Sequence, residues 1–219
     1  MDRKYDVVTF DCYGTLIDWE SGIANAFLQA AKADGVELER GAVLHAYAQQ
    51  ERSVEEHYDL YRNVLTEASA RVAQQFGWTP RNRTFLPDSL PSWTPFPDTN
   101  PALERLRDAG YKLAILSNTD NDLLAETRKH FTVDFDLLVT AQTVRSYKPA
   151  RGHFDAARER IGDARWLHAA QSNFHDIVPV NAFGVDTAWV NRHGHAALPG
   201  GTPTYEVRDM AGLAELLTA

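Results

Sequence analysis

Cysteine is almost absent from this 219-residue chain, which contains only Cys12. One thiol can form neither an internal disulfide nor a cysteine-based metal cluster, so the fold must depend on its apolar core. A hydrophobic content of 44% is sufficient for one sizeable core and a smaller appended unit. Cys12 itself is compatible with packing beside a strand or with a reactive thiol.

Long hydrophobic runs and clusters of positive charge are also missing. No apolar stretch approaches the ~20 residues that a membrane helix needs, and the N-terminal sequence MDRKYDVV lacks the apolar region of a secretory signal. The 22 lysines and arginines are scattered, and the net charge of −8 arises without a long acidic run. We therefore expect a cytoplasmic protein that binds a small molecule, with neither a membrane nor a nucleic acid as its partner.

Short aliphatic and β-branched runs predict a parallel sheet. They lie at 5–10, 111–117, 135–140 and 185–191, with a weaker run at 165–170. Because the runs are continuous rather than alternating, the strands should be covered on both faces. Helix-length segments separate the runs, and this order predicts a doubly wound, Rossmann-like α/β core with right-handed crossovers.

Residues 20–90 interrupt this order, since they carry amphipathic helical patterns and no convincing strand. We predict a small all-helical cap at residues 19–94, inserted after the first strand. The core would then consist of residues 1–18 and 95–219. A stretch rich in proline and turn residues, 79–99, would carry the chain back to that core.

Polar residues follow the predicted strands. Asp11 comes after the first strand, Ser117 and Asn118 after the second, and Lys148 in the loop after the third. The segment QSNFHD, 171–176, follows the weaker run. Singly, each has an ordinary explanation as a helix cap, a turn or a solvated loop. Because the carboxyl ends of parallel strands share one rim, their joint placement predicts a functional site there.

Four segments in this order, DCYGTLIDW, ILSN, SYKP and QSNFHD, resemble the motifs of the haloacid dehalogenase superfamily. The resemblance covers nearly the whole chain and places the helical insertion where that superfamily carries its small cap. It implies that Asp11 is a nucleophile whose carboxylate forms a covalent ester. Such an intermediate divides one difficult step into two easier ones.

Two positions depart from the phosphatases of this superfamily. Tyr13 stands where they have a second aspartate as general acid, and Ser172 stands where they have an acid that helps to hold Mg²⁺. Mg²⁺ prefers carboxylate oxygens and a transferring phosphoryl group needs its charge neutralised, so both changes count against a phosphatase. Both match the 2-haloacid dehalogenase branch, which implies a reaction without metal or cofactor. A departing halide needs no proton.

The resemblance also implies roles for the catalytic residues. Lys148, unless it is a surface lysine, is expected to keep the pKa of Asp11 low and later to stabilise an oxyanion. Asp176, with Asn173, is expected to orient and activate the hydrolytic water, with a helix cap as the alternative for Asn173.

Further residues are assigned to the substrate. Thr15, Ser117 and Asn118 are expected to bind its carboxylate or to fix the rotamer of Asp11. Aromatic residues of the cap should close over the rim and exclude water, although they are also compatible with the core of the cap. The expected substrate-binding set is Tyr13, Asn118, Ser172, His175, His45 and Tyr47.

A second branch, the azetidine-2-carboxylate hydrolases, is as close in motif detail. It shares FDCYGTLIDWE, FPDT, TAQ, SYKP and a fourth motif with a His-Asp pair. His175 could protonate a departing ring nitrogen or hydrogen-bond a fluoride, or it could be an ordinary loop histidine. The cap arginine with which the well-known 2-haloacid dehalogenases draw off halide is missing from segment 44–50, and Arg40 and Arg52 lie to either side. Phe154 also replaces a tyrosine, so a different leaving-group pocket is expected.

The leading hypothesis is a cofactor-free hydrolase that acts at the α-carbon of a small 2-substituted carboxylate. A 2-haloacid dehalogenase, with haloacetate or fluoroacetate among its substrates, fits best. An azetidine-2-carboxylate hydrolase, a Mg²⁺-dependent phosphatase and a non-catalytic binding protein remain as alternatives. The sequence is compatible with a homodimer.

Overall fold

Six parallel strands form one sheet in the computed structural model, which describes residues 3–54 and 57–219. The strands are β1 Val7–Phe10, β2 Lys112–Ser117, β3 Leu137–Thr140, β4 Trp166–Ala170, β5 Asp186–Val190 and β6 Tyr205–Val207. Their order across the sheet is β3-β2-β1-β4-β5-β6. The predicted Rossmann-like α/β fold is confirmed.

Strand β1 lies in the middle of the sheet, with β2 on one side and β4 on the other. Phe10 pairs with Ile115 of β2 and with Ala169 of β4. Every residue of β1 and β4 is buried, as the continuous apolar runs predict for strands covered on both faces. The strand order reverses at β1, so the carboxyl ends of these strands frame the position at which open α/β sheets bind ligands.

Ten helices surround or follow these strands in the described residues. They are α1 Trp19–Ala33, α2 Arg40–Val54, α3 Tyr61–Gln75, α4 Phe85–Ser89, α5 Thr99–Asp108, α6 Asn121–Thr127, α7 Ala141–Val144, α8 Gly152–Ile161, α9 Val178–Phe183 and α10 Met210–Thr218. One π-helical turn, Asn173–Ile177, leads into α9. Side-chain caps begin the first and last helices, since Asp18 accepts from the Ser21 amide and Asp209 from the Gly212 amide.

The described chain between β1 and α5 contains helices α1–α4 and a 3₁₀ turn, Leu90–Ser92, and no strand. Hydrogen bonds join this helical insertion to the segments that follow β2 and β3. The Asp120 carboxylate, beyond β2, accepts from the backbone amides of Tyr61 and Arg62 at 2.9 and 3.0 Å and so caps α3 from outside. The Tyr147 hydroxyl donates to the Asp59 carbonyl at 2.6 Å. Apolar residues of the insertion and of the sheet form one continuous cluster, and the division into core and cap domains stays a prediction.

Two strands differ from the sequence-based expectation. The run considered weaker, 165–170, forms the buried strand β4 beside the centre of the sheet. Strand β6 was not predicted, because its three residues include an exposed glutamate and carry too little pattern.

Within the described residues, no helix is both long enough and apolar enough for a membrane crossing.

Candidate active site

The turn after β1 presents the expected nucleophile. Gly14 has φ of +97°, and a Cβ atom there would lie 3.0 Å from Trp19 Nε1, so this sharp turn requires glycine. The Thr15 hydroxyl donates to Asp11 Oδ2 at 3.0 Å and accepts from the Gln171 amide at 2.8 Å. These hydrogen bonds link Thr15 to Asp11 and to the turn after β4, and the role expected of Thr15 stays a prediction.

Cys12 in the same turn is fully buried, and burial raises the pKa of its thiol well above the ordinary value. A thiol that stays protonated is a poor nucleophile. The structure therefore favours packing, and not reactivity, for this residue.

Lys148 is 2% exposed and lies between two carboxylates. Its ammonium donates to Asp11 Oδ1 at 2.9 Å, to Asp176 Oδ1 at 2.7 Å and to the Leu116 carbonyl at 2.9 Å. Asn118 holds the backbone of Lys148 from both sides, accepting from its amide at 2.7 Å and donating to its carbonyl at 3.1 Å. Lys148 is thus a buried, oriented cation and not a surface lysine.

Burial and the neighbouring charges shift the pKa values of Asp11, Asp176 and Lys148 in different directions. Burial raises the pKa of Asp11, and the opposing effects of Lys148 and Thr15 do not cancel it. This direction is opposite to the low pKa that the sequence led us to expect for Asp11. Burial acts on Asp176 in the same direction, but Lys148 and His168 bring the pKa of Asp176 well below its usual range. Burial disfavours the charged form of Lys148, yet both carboxylates together raise the pKa of Lys148 above its ordinary value.

Asp176 comes from the π-helical turn after β4. Ser172 caps this turn, since its hydroxyl oxygen accepts from the His175 amide at 3.0 Å. Asp176 Oδ1 accepts from Lys148 and from His168 Nε2 at 2.9 Å, whereas the buried Oδ2 has no hydrogen-bond partner among the described residues. One oxygen of a buried carboxylate is therefore left to accept a hydrogen bond from another molecule.

A cavity of about 370 Å³ opens over this cluster. Its polar floor contains six of the expected site residues, Asp11, Ser117, Asn118, Lys148, Ser172 and Asp176. The Ser117 hydroxyl oxygen is buried and has no hydrogen-bond partner in the part of the chain that the structure describes. Tyr13 and His175, also expected, line the cavity as well.

Four expected residues do not line the cavity: Thr15, described above, and Tyr47, His45 and Asn173. Tyr47 is fully buried and packs against Trp19, with ring centroids 6.0 Å apart, while His45 is exposed and hydrogen-bonds to Gln49. Asn173 donates to the Gly201 carbonyl at 2.8 Å and accepts from the Leu198 amide at 3.1 Å. Its amide thus joins the 198–201 loop to the π-helical turn, and its role towards water stays a prediction.

Trp19, Tyr61 and Trp93 line the cavity and are among the cap aromatics expected to close over the rim, whereas the other lining residues described next were not predicted. The insertion contributes an apolar wall made of Trp19, Leu44, Ala48, Tyr61 and Trp93. Leu44 and Ala48 are one helical turn apart, so they share a face of α2. The mouth carries Glu20, Gln171, His193 and His195, and the rings of the last two are stacked at 5.5 Å. No pattern in the sequence marks residues 193 and 195, because a loop after β5 brings them to the rim.

The sequence predicts a leaving-group pocket unlike that of the well-known 2-haloacid dehalogenases, which use a cap arginine. The structure describes the side chains of all residues except 1–2, 51–53 and 55–56, and no arginine among the described side chains lines the cavity. Arg40 donates to the Ser21 hydroxyl at 3.1 Å, and the side chain of Arg52 lies outside the described residues. Phe154 is buried beneath the sheet, where it packs against His168 at a centroid distance of 5.9 Å.

A family model for haloacid dehalogenase-like hydrolases matches residues 5–173 of this chain. The chain belongs to this family of hydrolases. It is 30% identical to an (S)-2-haloacid dehalogenase of Pseudomonas putida over 220 residues, which cover 96% of each protein. It is 27% identical to a haloacetate dehalogenase of Moraxella sp. (strain B) over 225 residues, covering 98% of this chain and 99% of that protein. A crystal structure of a dehalogenase with an intermediate complex shares the fold, with a TM-score of 0.86, 22% identity and full coverage of both chains.

The phosphatases of the haloacid dehalogenase superfamily use Mg²⁺, and the residues of this hydrolase do not fit that ion. Asp11 and Asp176 each direct an oxygen to Lys148. Where the phosphatases have a carboxylate, this chain has Ser172, whose hydroxyl already hydrogen-bonds to His175. In the described part of the chain, no three histidine, cysteine or acidic side chains are grouped to hold a metal. The oxygen ligands that Mg²⁺ prefers are thus too few here.

Proposed function

We propose that this hydrolase is a 2-haloacid dehalogenase that displaces halide from the α-carbon of a small 2-substituted carboxylate, haloacetates included. The observation that carries the proposal is the Asp11–Lys148–Asp176 cluster on the floor of a small cavity with an apolar wall. The haloacid and haloacetate dehalogenases to which the chain is similar over nearly its full length support the same choice.

In the first step, a carboxylate oxygen of Asp11 attacks the α-carbon from the side opposite the halogen. The new carbon–oxygen bond forms as the carbon–halogen bond breaks, and the halide departs with the electron pair. Lys148 and Thr15 hold the carboxylate in one orientation, so little freedom is lost on reaching the attack geometry. Apolar side chains above the floor keep water away from the charged nucleophile.

The substrate carboxylate needs donors on the cavity floor. The buried Ser117 hydroxyl lines the cavity and has no partner among the described residues, so we assign it to this carboxylate. The Asn118 side chain is already committed to the Lys148 backbone. Its contribution is therefore to hold Lys148, and Ser117 becomes the first residue to test for substrate affinity.

In the second step, water attacks the carbonyl carbon of the Asp11 ester. Asp176 accepts a proton from that water, and Lys148 stabilises the negative charge that develops on the ester oxygen. The tetrahedral intermediate collapses with loss of the alkoxide, which takes up a proton and leaves as the 2-hydroxy acid. The net products of this step are the hydroxy acid, the Asp11 carboxylate and one proton.

Azetidine-2-carboxylate hydrolysis is the second candidate, because His175 lines the cavity. Its Nδ1 lies 3.0 Å from the Ser172 hydroxyl oxygen, an arrangement that orients the ring. A ring nitrogen must be protonated as it leaves, and a histidine is a suitable acid near neutral pH.

A parallel substrate screen tests these assignments. Purified protein is assayed with 2-chloropropionate, fluoroacetate, azetidine-2-carboxylate and a phosphomonoester, each with and without EDTA. We expect halide release that is unaffected by EDTA and absent in Asp11→Asn, while the exposed control Asp134→Asn retains full activity. Ring opening without halide release would select the second candidate. Phosphate release that EDTA abolishes and Mg²⁺ restores would overturn both candidate functions.

A further inference from the structure

A buried histidine that the mechanism above does not use lies directly beneath the active site. His168 is in the middle of β4, is 0% exposed and pairs in register with Thr9 of β1. Its Nε2 atom is 2.9 Å from Asp176 Oδ1, and its Nδ1 atom is 2.7 Å from the Thr9 hydroxyl oxygen. The same hydroxyl oxygen is 2.7 Å from the indole nitrogen of Trp166.

These contacts define which ring nitrogen of His168 carries the proton. An indole nitrogen can only donate, so Trp166 donates to the Thr9 oxygen. His168 Nε2 faces Asp176 Oδ1, a carboxylate oxygen that can only accept, so Nε2 must carry a proton. With that single ring proton, Nδ1 accepts from the Thr9 hydroxyl. His168 therefore carries its proton on Nε2 and donates to Asp176.

The chain of hydrogen bonds runs in one direction, from Trp166 through Thr9 and His168 to Asp176. It ends on Oδ1, the oxygen that also accepts from Lys148. Oδ2 of Asp176 is the oxygen left without a partner among the described residues. Two donors on one oxygen therefore fix the rotamer of Asp176 and leave the other oxygen to the water.

We propose that His168 is a positioning residue for the second half of the reaction, in which Asp176 accepts a proton from the water that attacks the Asp11 ester. This inference rests on the proposed function. His168 does not touch the reacting atoms, and halide displacement by Asp11 does not require the free oxygen of Asp176. Loss of His168 should therefore affect ester hydrolysis and spare halide release.

The test separates the two steps in His168→Leu, which removes the donor, and in His168→Gln, which keeps an N–H near Nε2. Rapid mixing with 2-chloropropionate measures the first-turnover halide burst. Mass spectrometry of quenched samples measures the ester on the Asp11 peptide. In His168→Leu we expect the burst rate to stay within about threefold of wild type, and hydrolysis to slow about 10- to 10²-fold. That range corresponds to the loss of one hydrogen bond to a charged group. The ester should accumulate, and His168→Gln should recover most of the hydrolysis rate.

A second pair of variants protects the test against a folding defect at position 168. Thr9→Val removes the hydroxyl that hydrogen-bonds to His168 Nδ1, and Thr9→Ser keeps it. We expect slowed hydrolysis with accumulated ester in Thr9→Val and near wild-type behaviour in Thr9→Ser. Equal slowing of halide release and hydrolysis, or equal behaviour of the two Thr9 variants, would overturn the positioning role while leaving the proposed function intact. Absence of halide release from wild type would overturn both.

Discussion

Replacement of Lys148 by methionine should both inactivate and destabilise the protein. The ammonium is 2% exposed and makes three hydrogen bonds, two of them to buried carboxylates. Methionine fills similar space without a charge, so Asp11 and Asp176 are left facing each other across an apolar side chain. Breaking a buried ion pair by removal of one partner costs about 3–5 kcal/mol. For a protein of this size we expect Tm to fall by about 6–20 °C.

The same variant should lose further stability relative to wild type as the pH rises. Without the cation, two adjacent carboxylates share one proton, so one folded-state pKa rises above the unfolded value of about 3.9. The folded state then binds a proton more tightly than the unfolded chain. Its stability therefore decreases as the pH rises from about 4 through that raised pKa. Urea denaturation of Lys148→Met at pH 5 and pH 8 should give a larger deficit relative to wild type at pH 8.

Two controls make this experiment decisive. Lys112→Met alters an exposed lysine at the start of β2 and should change stability by less than about 0.5 kcal/mol. Adding Asp176→Asn to Lys148→Met removes one of the repelling charges and should recover part of the lost stability, a coupling that a double-mutant cycle measures. A deficit for Lys148→Met below about 1 kcal/mol at pH 8, or one that does not change with pH, would refute the charge cluster as described. Steady-state turnover should fall about 10²–10³-fold in the same protein, as for loss of one oxyanion stabiliser in ester hydrolysis.

Three further predictions concern the reaction. In a single turnover in ¹⁸O water with enzyme in excess, label should enter the Asp11 peptide while the hydroxy acid stays unlabelled and a chiral substrate inverts; label in the first product would contradict the ester mechanism. Burial raises the pKa of Asp11, and the nucleophile must be ionised, so kcat/KM should fall on acidification through a pKa above the ordinary aspartate value of about 3.9. A fall in kcat/KM with a pKa at or below that value would oppose the assignment of Asp11 as the buried nucleophile. Leu44→Ala should change the ratio of kcat/KM for 2-chloropropionate and a longer 2-chloroacid about 10-fold, the lower end of the value of one methylene in an apolar pocket. The neighbouring control His45→Ala should leave that ratio unchanged, and the reverse result would reassign the wall of the cavity.

The sheet was predictable because its strands obey one simple rule. Strands buried on both faces need uninterrupted apolar runs, and β1, β2, β3 and β5 supply them. Asp11, Ser117 and Lys148 follow such runs, so the topology brings them to one rim without further information. Strand β6 lacked this signal, since three residues at a sheet edge can be partly polar without cost.

Contacts between distant loops could not be predicted in the same way. Asn173 carries the donor and acceptor groups expected of a water-orienting residue. Its side-chain amide instead hydrogen-bonds to the Gly201 carbonyl and the Leu198 amide, about 25 residues further along the chain. The residues of α2 that line the cavity could not be predicted for a different reason. Adjacent residues of a helix point about 100° apart, so an error of one position exchanges Leu44 for His45. Sequence patterns alone do not define the rotation of a helix over a site to that accuracy.

The weakest strand signal in the sequence coincides with the most informative contact. The run 165–170 contains a histidine, which lowers its apolar character and made it the least convincing of the strands. A buried polar side chain is costly unless its hydrogen bonds are satisfied, and both ring nitrogens of His168 have partners. Its two partners, Thr9 and Asp176, are themselves buried polar groups. A polar residue in the centre of a buried strand is thus a departure from the local rule that the active site above it explains, because Asp176 can be oriented from below only if the strand beneath it gives up an apolar side chain.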